Sequence, residues 1–403
     1  MKNIYLDHSA TTHLDKKVLE VMMPYLTDDF GNTSSIHGIG QKAFLAVKNA
    51  RENSALFLNC KPEEVIFTSG ATESNNLAIF GLIRALQKNN LEKMHIITSV
   101  IEHPSVLECF RELARDENIE VSYVPVDENG VVKIEELKNI FQENTVFVSI
   151  MYVNNEVGSA QPIAEIGKII EKIKEARKEK KSKFPIYFHT DAVQAANFFS
   201  CDVKKLKVDM LSLSGHKIYG PKGIGLLFAQ KEISLMPIQL GGHQEHGLRS
   251  GTLNVPGIVG LGEAFVLAAG RKKKSTERVA KLRNFLVSEI QKNIPDTILN
   301  GDLKNISPSH ANITFKGVEG ESVLLDLDFE NILVSTGSAC ASGSLKASHV
   351  LLAMGISQEE AHGAIRFTLG KDNTEKEMKR VAEVLPKIIE RFRKMAPEIL
   401  ILK

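Results

Sequence analysis

The strongest constraint in this 403-residue chain is an alternation that begins at residue 64. Short runs rich in β-branched residues are separated by longer stretches of helical periodicity. The runs Glu64–Thr68, His95–Thr98, Glu120–Pro125, Thr145–Met151, Ile186–His189, Asp209–Leu213 and Gly225–Phe228 predict strands. Helices are predicted between many of them, notably at Thr72–Asn89, His103–Glu117 and Ile163–Lys178. Strands apolar on both faces, alternating with helices, specify a mostly parallel sheet covered on each side. The expected fold class is α/β, a large three-layer domain whose ligand site lies beyond the carboxyl ends of the strands.

The pattern changes after Gly251. Two helices are predicted, at Val255–Ala269 and Lys273–Asn293. Short strands near Asn312–Phe315 and Ile332–Val334 follow, then a small-residue loop at Ser335–Ser344 and a final helix from Thr374 to about Met395. This reads as a smaller α+β C-terminal lobe. The expected division is a large domain over 15–254 and a small one built from 1–14 with 255–403.

Charge and composition narrow the function. Lys+Arg number 50 against 49 for Asp+Glu, which gives no global field for nonspecific nucleic-acid binding. The most basic run, Arg177 to Lys183, ends a helical pattern and reads as a solvated helix end. No membrane span is expected, because the best apolar stretch, Gly257 to Gly270, is short and carries Glu263. The first residues read as a strand rather than a signal peptide. Four cysteines, at 60, 109, 201 and 340, form no C-x-x-C pair, which fits a reducing cytoplasm.

Several short segments carry chemistry. Ser212-Leu213-Ser214-Gly215-His216-Lys217 ends a strand in small polar residues and a lysine. A lysine at the mouth of a sheet can act as a nucleophilic amine and form Schiff bases, most commonly with pyridoxal phosphate. A surface lysine in a turn would read the same way. Asp191 ends a very apolar strand 26 residues earlier, the length of one crossover. Pyridoxal enzymes need such a carboxylate on the pyridine nitrogen, although an aspartate capping the next helix is the plainer reading. Thr68-Ser69-Gly70-Ala71-Thr72 is a strand, a glycine turn and a helix start, which reads either as a cradle for one phosphate or as simple helix capping by Thr72. It matches neither nucleotide-binding glycine motif. His103-Pro104 opens a helix, so His103 either stacks on a planar group, shuttles a proton or caps. Cys340 lies among Gly, Ser and Ala, where a thiol is accessible for nucleophilic work, although a chance loop thiol would read the same way. Arg366 interrupts an apolar strand-like run, as a carboxylate clamp or a surface salt-bridge partner does.

Together these segments resemble the cysteine desulfurases of the NifS/IscS kind, class V aminotransferase-like enzymes of pyridoxal phosphate fold type I. The resemblance runs from Tyr5-Leu6-Asp7 and Ala10-Thr11-Thr12 to Arg366 and beyond. It is carried by Gly70-Ala71-Thr72-Glu73-Ser74-Asn75-Asn76, Asn154-Asn155-Glu156-Val157-Gly158, Asp191-Ala192-Val193-Gln194, Ser214-Gly215-His216-Lys217, Arg249-Ser250-Gly251-Thr252 and Gly337-Ser338-Ala339-Cys340.

The resemblance implies that Lys217 holds pyridoxal 5'-phosphate covalently. Asp191 would pair with the ring nitrogen, Gln194 with the phenolic oxygen, and His103 would stack on the ring and move protons. Ala71, Thr72, Ser214 and His216 would hold the phosphate. Thr252 would reach it from the partner subunit of a homodimer. Asn155 and Arg366 would bind the carboxylate of L-cysteine. Cys340 would take the sulfur as a persulfide, for an iron–sulfur scaffold or a tRNA-thiolation relay, and alanine would leave. A selenocysteine lyase, an aminotransferase of the same fold and an idle sulfur-transfer scaffold are the competing readings.

Two segments depart from the family pattern. Asn32-Thr33-Ser34-Ser35 stands where Asn-Pro often precedes Ser-Ser, and Gly241-Gly242-His243-Gln244-Glu245-His246 lacks the usual arginine. The histidine pair there is not expected to bind metal.

Overall fold

The computed structural model describes residues 3–336 and 347–395. Strand β1 is Ile4–Tyr5, and seven strands build the main sheet: β2 Val65–Thr68, β3 Met94–Ser99, β4 Ile119–Val124, β5 Thr145–Ser149, β6 Tyr187–Asp191, β7 Met210–Ser214 and β8 Gly225–Ala229. Their order is β2-β8-β7-β6-β5-β3-β4. The run from β7 to β4 is parallel throughout, and only β8 opposes its neighbours. Every residue of β2, β3, β5, β7 and β8 is buried, whereas the edge strand β4 exposes Glu120 and Tyr123 and buries only its two ends.

Successive side chains of a strand point to opposite faces, and here they enter different cores. Ile97, Val148, Leu211 and Phe228 pack into one apolar cluster. Their chain neighbours Ile96, Phe147, Met210 and Leu227 pack into another on the far side. Helix Ala71–Lys88 covers the second face, burying Leu77, Ala78, Leu82 and Leu86 along one stripe. Helix Ile163–Glu179 covers the first through Ile163, Ile166 and Ile170. This is the three-layer α/β architecture.

A third core gathers the C-terminal residues. Strands β9 Thr297–Leu299, β10 His310–Phe315, β12 Ser335–Thr336 and β13 Ala364–Thr368 form an antiparallel sheet in the order β12-β13-β10-β9. Helix Glu375–Met395 packs on it through Met378, Val381, Leu385 and Ile389. Strand β1 joins this part of the molecule by pairing with β11 Ile332–Leu333.

The sequence predicts two helices after Gly251, but there is one, Val255–Asn293, of 39 residues. Gly270 is the break signal that misleads. A glycine inside a helix costs about 1 kcal/mol but does not end it, and packing on both sides overrides it. Ile258, Leu261 and Phe265 bury in the first core, and Val279, Leu286 and Ile290 in the third. Just past Gly270, Arg271 lies over the Tyr219 ring and Lys272 over that of Phe57. Among the described residues, no helix is long and apolar enough to cross a membrane.

Candidate active site

Four parallel strands and β2 end on the same rim, and each delivers a side chain there. β6 ends at Asp191, β7 runs into Gly215-His216-Lys217, and β2 leads through Gly70 into helix Ala71–Lys88. β3 leads to Glu102 and His103, and β5 to Met151 and Asn155. Between them lies a cavity of about 560 Å³ lined by Ala71, Thr72, His103, Asn155, Asp191, Gln194, Ser214, His216, Lys217 and Arg366, among others. Ten of the twelve residues picked from the sequence therefore face one space.

The carboxylate of Asp191 is fixed by donors. Its Oδ2 accepts from Asn75 Nδ2 at 2.8 Å and its Oδ1 from the Val193 backbone N–H at 3.0 Å. Asn75 lies one turn into the helix that starts at Ala71, and its amide also reaches Ser105 Oγ at 2.9 Å. The motif containing Asn75 is visible in the sequence, but its role is not.

His103 does cap its helix: its Nδ1 accepts from the Ser105 N–H at 3.1 Å. With Nδ1 so engaged, the neutral ring carries its proton on Nε2. Burial pulls its pKa below the usual imidazole range, against the opposing pull of Asp191. His216 is likewise lowered, to about 4, by burial and by Lys217 and Lys222. Its Nδ1 lies 3.1 Å from Thr11 Oγ1. Beneath the site Glu102 is fully buried. Its Oε1 accepts from Ser99 Oγ at 2.6 Å and from the Met151 N–H at 2.8 Å, while Oε2 has no partner among the described residues. Burial raises its pKa to about 8, so it stays a neutral acid at pH 7.

The floor needs glycine. A Cβ on Gly225 would fall 2.7 Å from Gly70 Cα and 2.6 Å from the Leu213 carbonyl oxygen. Only bare backbone lets β8 pass this close under the turn that opens the helix.

The residues missed in the sequence are chiefly those of the N-terminal strap. Lys217 Nζ donates to the carbonyls of Ser9 and Ala10, the latter at 2.7 Å. Gln194 Nε2 donates to Ser9 O at 3.0 Å, and Ser9 Oγ to Asn155 O at 2.7 Å. Thr12 Oγ1 donates to His216 O at 2.8 Å. The Ala10-Thr11-Thr12 run stands out in the sequence, but nothing in one sequence says that it crosses the mouth of a site about 200 residues away.

Two picked residues stand apart. Thr252 is exposed and does not line the cavity of its own chain. Cys340 lies outside the described residues. The chain on either side of it borders the site. Ser335 of β12 pairs with Arg366 of β13. Ser348 Oγ donates to the buried Glu156, next to Asn155, and His349 Nε2 lies 3.1 Å from Glu102 O. The Gly241–His246 segment is pinned by Glu245, a buried side chain that accepts from Arg51 Nη1 at 3.0 Å and the Phe67 N–H at 2.8 Å.

Comparison with known proteins shows the family. The aminotransferase class-V family model matches residues 4–381. A protein named cysteine desulfurase IscS from Dictyoglomus turgidum is 45% identical over 98% of this chain and 97% of its own. One of the same name from Methanosarcina thermophila is 46% identical over 98% and 94%. A solved NifS-like protein superposes with a TM-score of 0.87 at 38% identity, covering 96% of this chain and all of its own. Another solved structure, titled SspA in complex with cysteine, gives 0.77 at 37%, over 91% and 98%. The chain therefore belongs to the class-V aminotransferase family, in which it is similar to the cysteine desulfurases.

Proposed function

We propose that the chain is a pyridoxal 5'-phosphate-dependent L-cysteine desulfurase that forms L-alanine and a persulfide on Cys340. The observation that carries this reading is the convergence of Lys217, Asp191, His103, a helix N-terminus and Arg366 on one cavity, with both flanks of the Cys340 segment at its border.

The donor set suits the cofactor. An amine, a carboxylate held by two donors, an imidazole and a phosphate cradle of Ala71, Thr72, Ser214 and His216 meet in a space of suitable volume. Bound on Lys217, pyridoxal phosphate supplies an electron-withdrawing ring that accepts charge when the substrate Cα proton leaves. Asp191 sits to meet the ring nitrogen, and Asn75 keeps that carboxylate aimed. Gln194, which lines the same cavity, would meet the phenolic oxygen. Neutral His103 offers a flat face for stacking and an Nε2–H to exchange. Asn155 and Arg366 bind the substrate carboxylate. The Cys340 thiolate attacks the substrate sulfur, an S–S bond forms and the C–S bond breaks. The electron pair stays with Cβ, which takes a proton to become the alanine methyl group.

The same reading places the protein in the cytoplasm as a homodimer whose Thr252 completes the partner's phosphate site. Its sulfur goes to an iron–sulfur scaffold or to tRNA thiolation, without direct binding of nucleic acid. Residues 15–254 carry the cofactor site, and 1–14 with 255–403 supply the small domain, whose long helix reaches back into the first core through Ile258, Leu261 and Phe265. In the test, cofactor-loaded protein shows a visible absorbance band that Lys217→Ala loses. Cys340→Ala keeps the band but releases no sulfide, and cysteine adds one sulfur to the Cys340 peptide by mass spectrometry. Full turnover by Cys340→Ala overturns the assignment.

A further inference from the structure

Asp7 follows β1 and bridges in parallel to Thr368 at the end of β13. The neighbouring β13 residue on that face is Arg366, whose side chain is 2% exposed. Asp7 Oδ1 accepts from Arg366 Nη2 at 2.8 Å, and Asn155 O accepts from Nη1 at 3.0 Å. The third nitrogen, Nε, is buried with no hydrogen-bond partner among the described residues. A buried guanidinium donor without an acceptor is costly, and this one belongs to a residue that lines the substrate cavity.

Both terminal nitrogens are thus held by acceptors that do not move with the substrate, and each carries a second N–H for another partner. The Asn155 carbonyl is itself fixed by Ser9 Oγ. We infer that Asp7 is a positioning residue that aims the Arg366 guanidinium at the α-carboxylate of the amino-acid substrate. It thereby makes the site prefer cysteine over thiols that lack a carboxylate. This rests on the assignment of Arg366 made under Proposed function.

Removing Asp7 has two opposed effects. The site becomes more positive, which favours a carboxylate. The guanidinium also loses the acceptor that orients it, and Glu156, a buried acid close enough to act on it, becomes a rival partner. Orientation decides, because a planar fork binds a carboxylate well only edge-on. Asp7→Ala loses charge and acceptor together. Asp7→Asn loses the charge alone and keeps an oxygen for Nη2.

The test uses the full-length, cofactor-loaded enzyme, with L-cysteine as substrate and cysteamine, which has the same amine and thiol but no carboxylate, as competitor. Asp7→Ala is expected to raise KM for cysteine about tenfold or more, the worth of one charge-assisted hydrogen bond. Its kcat should move much less, and inhibition by cysteamine should stay within about twofold. Asp7→Asn should bring KM back to within about threefold of the wild type. An unchanged KM in Asp7→Ala overturns the inference. So does a parallel loss of cysteine and cysteamine binding, or an Asn variant as poor as the Ala one. If Asp7→Ala does not fold, Asp7→Ser, whose hydroxyl is too short to reach Nη2, carries the same expectation. If the wild type binds cysteine but does not desulfurate it, the desulfurase reading fails. The same comparison is then read from the cofactor's absorbance change on binding, and still decides the role of Asp7.

Discussion

Replacing Glu102 by Gln tests whether the buried acid beneath the site is held neutral. The carboxyl titrates near 4.5 when exposed and near 8 in the fold, with burial as the main cause. A raised folded pKa means that the unfolded chain ionises first as pH rises. The associated stability is fully present below pH 4.5 and is lost progressively up to pH 8. The penalty for keeping Glu102 protonated is about 1 kcal/mol at pH 5 and about 4 kcal/mol at pH 8. The amide of the Glu102→Gln variant keeps an oxygen for Ser99 and Met151 and does not titrate. The stability of Glu102→Gln relative to the wild type should therefore improve by about 3 kcal/mol between pH 5 and pH 8. For a chain of this length that is roughly 4 °C in Tm. Thermal unfolding of both proteins at the two pH values, at equal cofactor saturation, measures it. A difference in Tm that is the same at both pH values refutes the reasoning, because it would mean that Glu102 ionises as an exposed carboxyl does.

Gly225→Ala should weaken cofactor retention strongly, since its Cβ would meet backbone at 2.7 Å under Gly70; absorbance after dialysis measures this, and full retention counts against the close approach. Phe265→Ala empties a fully buried position where the long helix meets Phe57. It should cost about 3–5 kcal/mol, seen in denaturant unfolding. Burial holds the thiols of Cys60 and Cys109 near pKa 12 and that of Cys201 near 11. Iodoacetamide on native protein at about pH 8 should leave these three unlabelled by peptide mass spectrometry, because the thiolate is the reacting form.

The main sheet was legible because its strands are apolar on both faces and sit between helical stretches, a pattern set by local burial. The segments that place Lys217 and Asp191 were legible for the same reason, since each is the polar end of an apolar strand, and His103 was legible as the start of the helix after β3. What could not be read depends on contacts between distant residues. The helix through Gly270 is held by two cores at once, and a local break signal carries no news of either. Asp7 pairs with Arg366 across 359 residues. Glu102 resembles any acid near a helix start until the Met151 N–H and Ser99 enclose it.

The strap has a consequence for how the enzyme is made. Leu6 and His8 exchange backbone hydrogen bonds with Thr368, and Ser9 N–H reaches its hydroxyl. Ser9 is translated 359 residues before its partner Thr368 on β13. A nascent chain can assemble the large sheet before β13 emerges, but the strap stays unanchored until then. A chain that stops short of β13 would thus carry Lys217 without Arg366 and with nothing on that strand to anchor the strap.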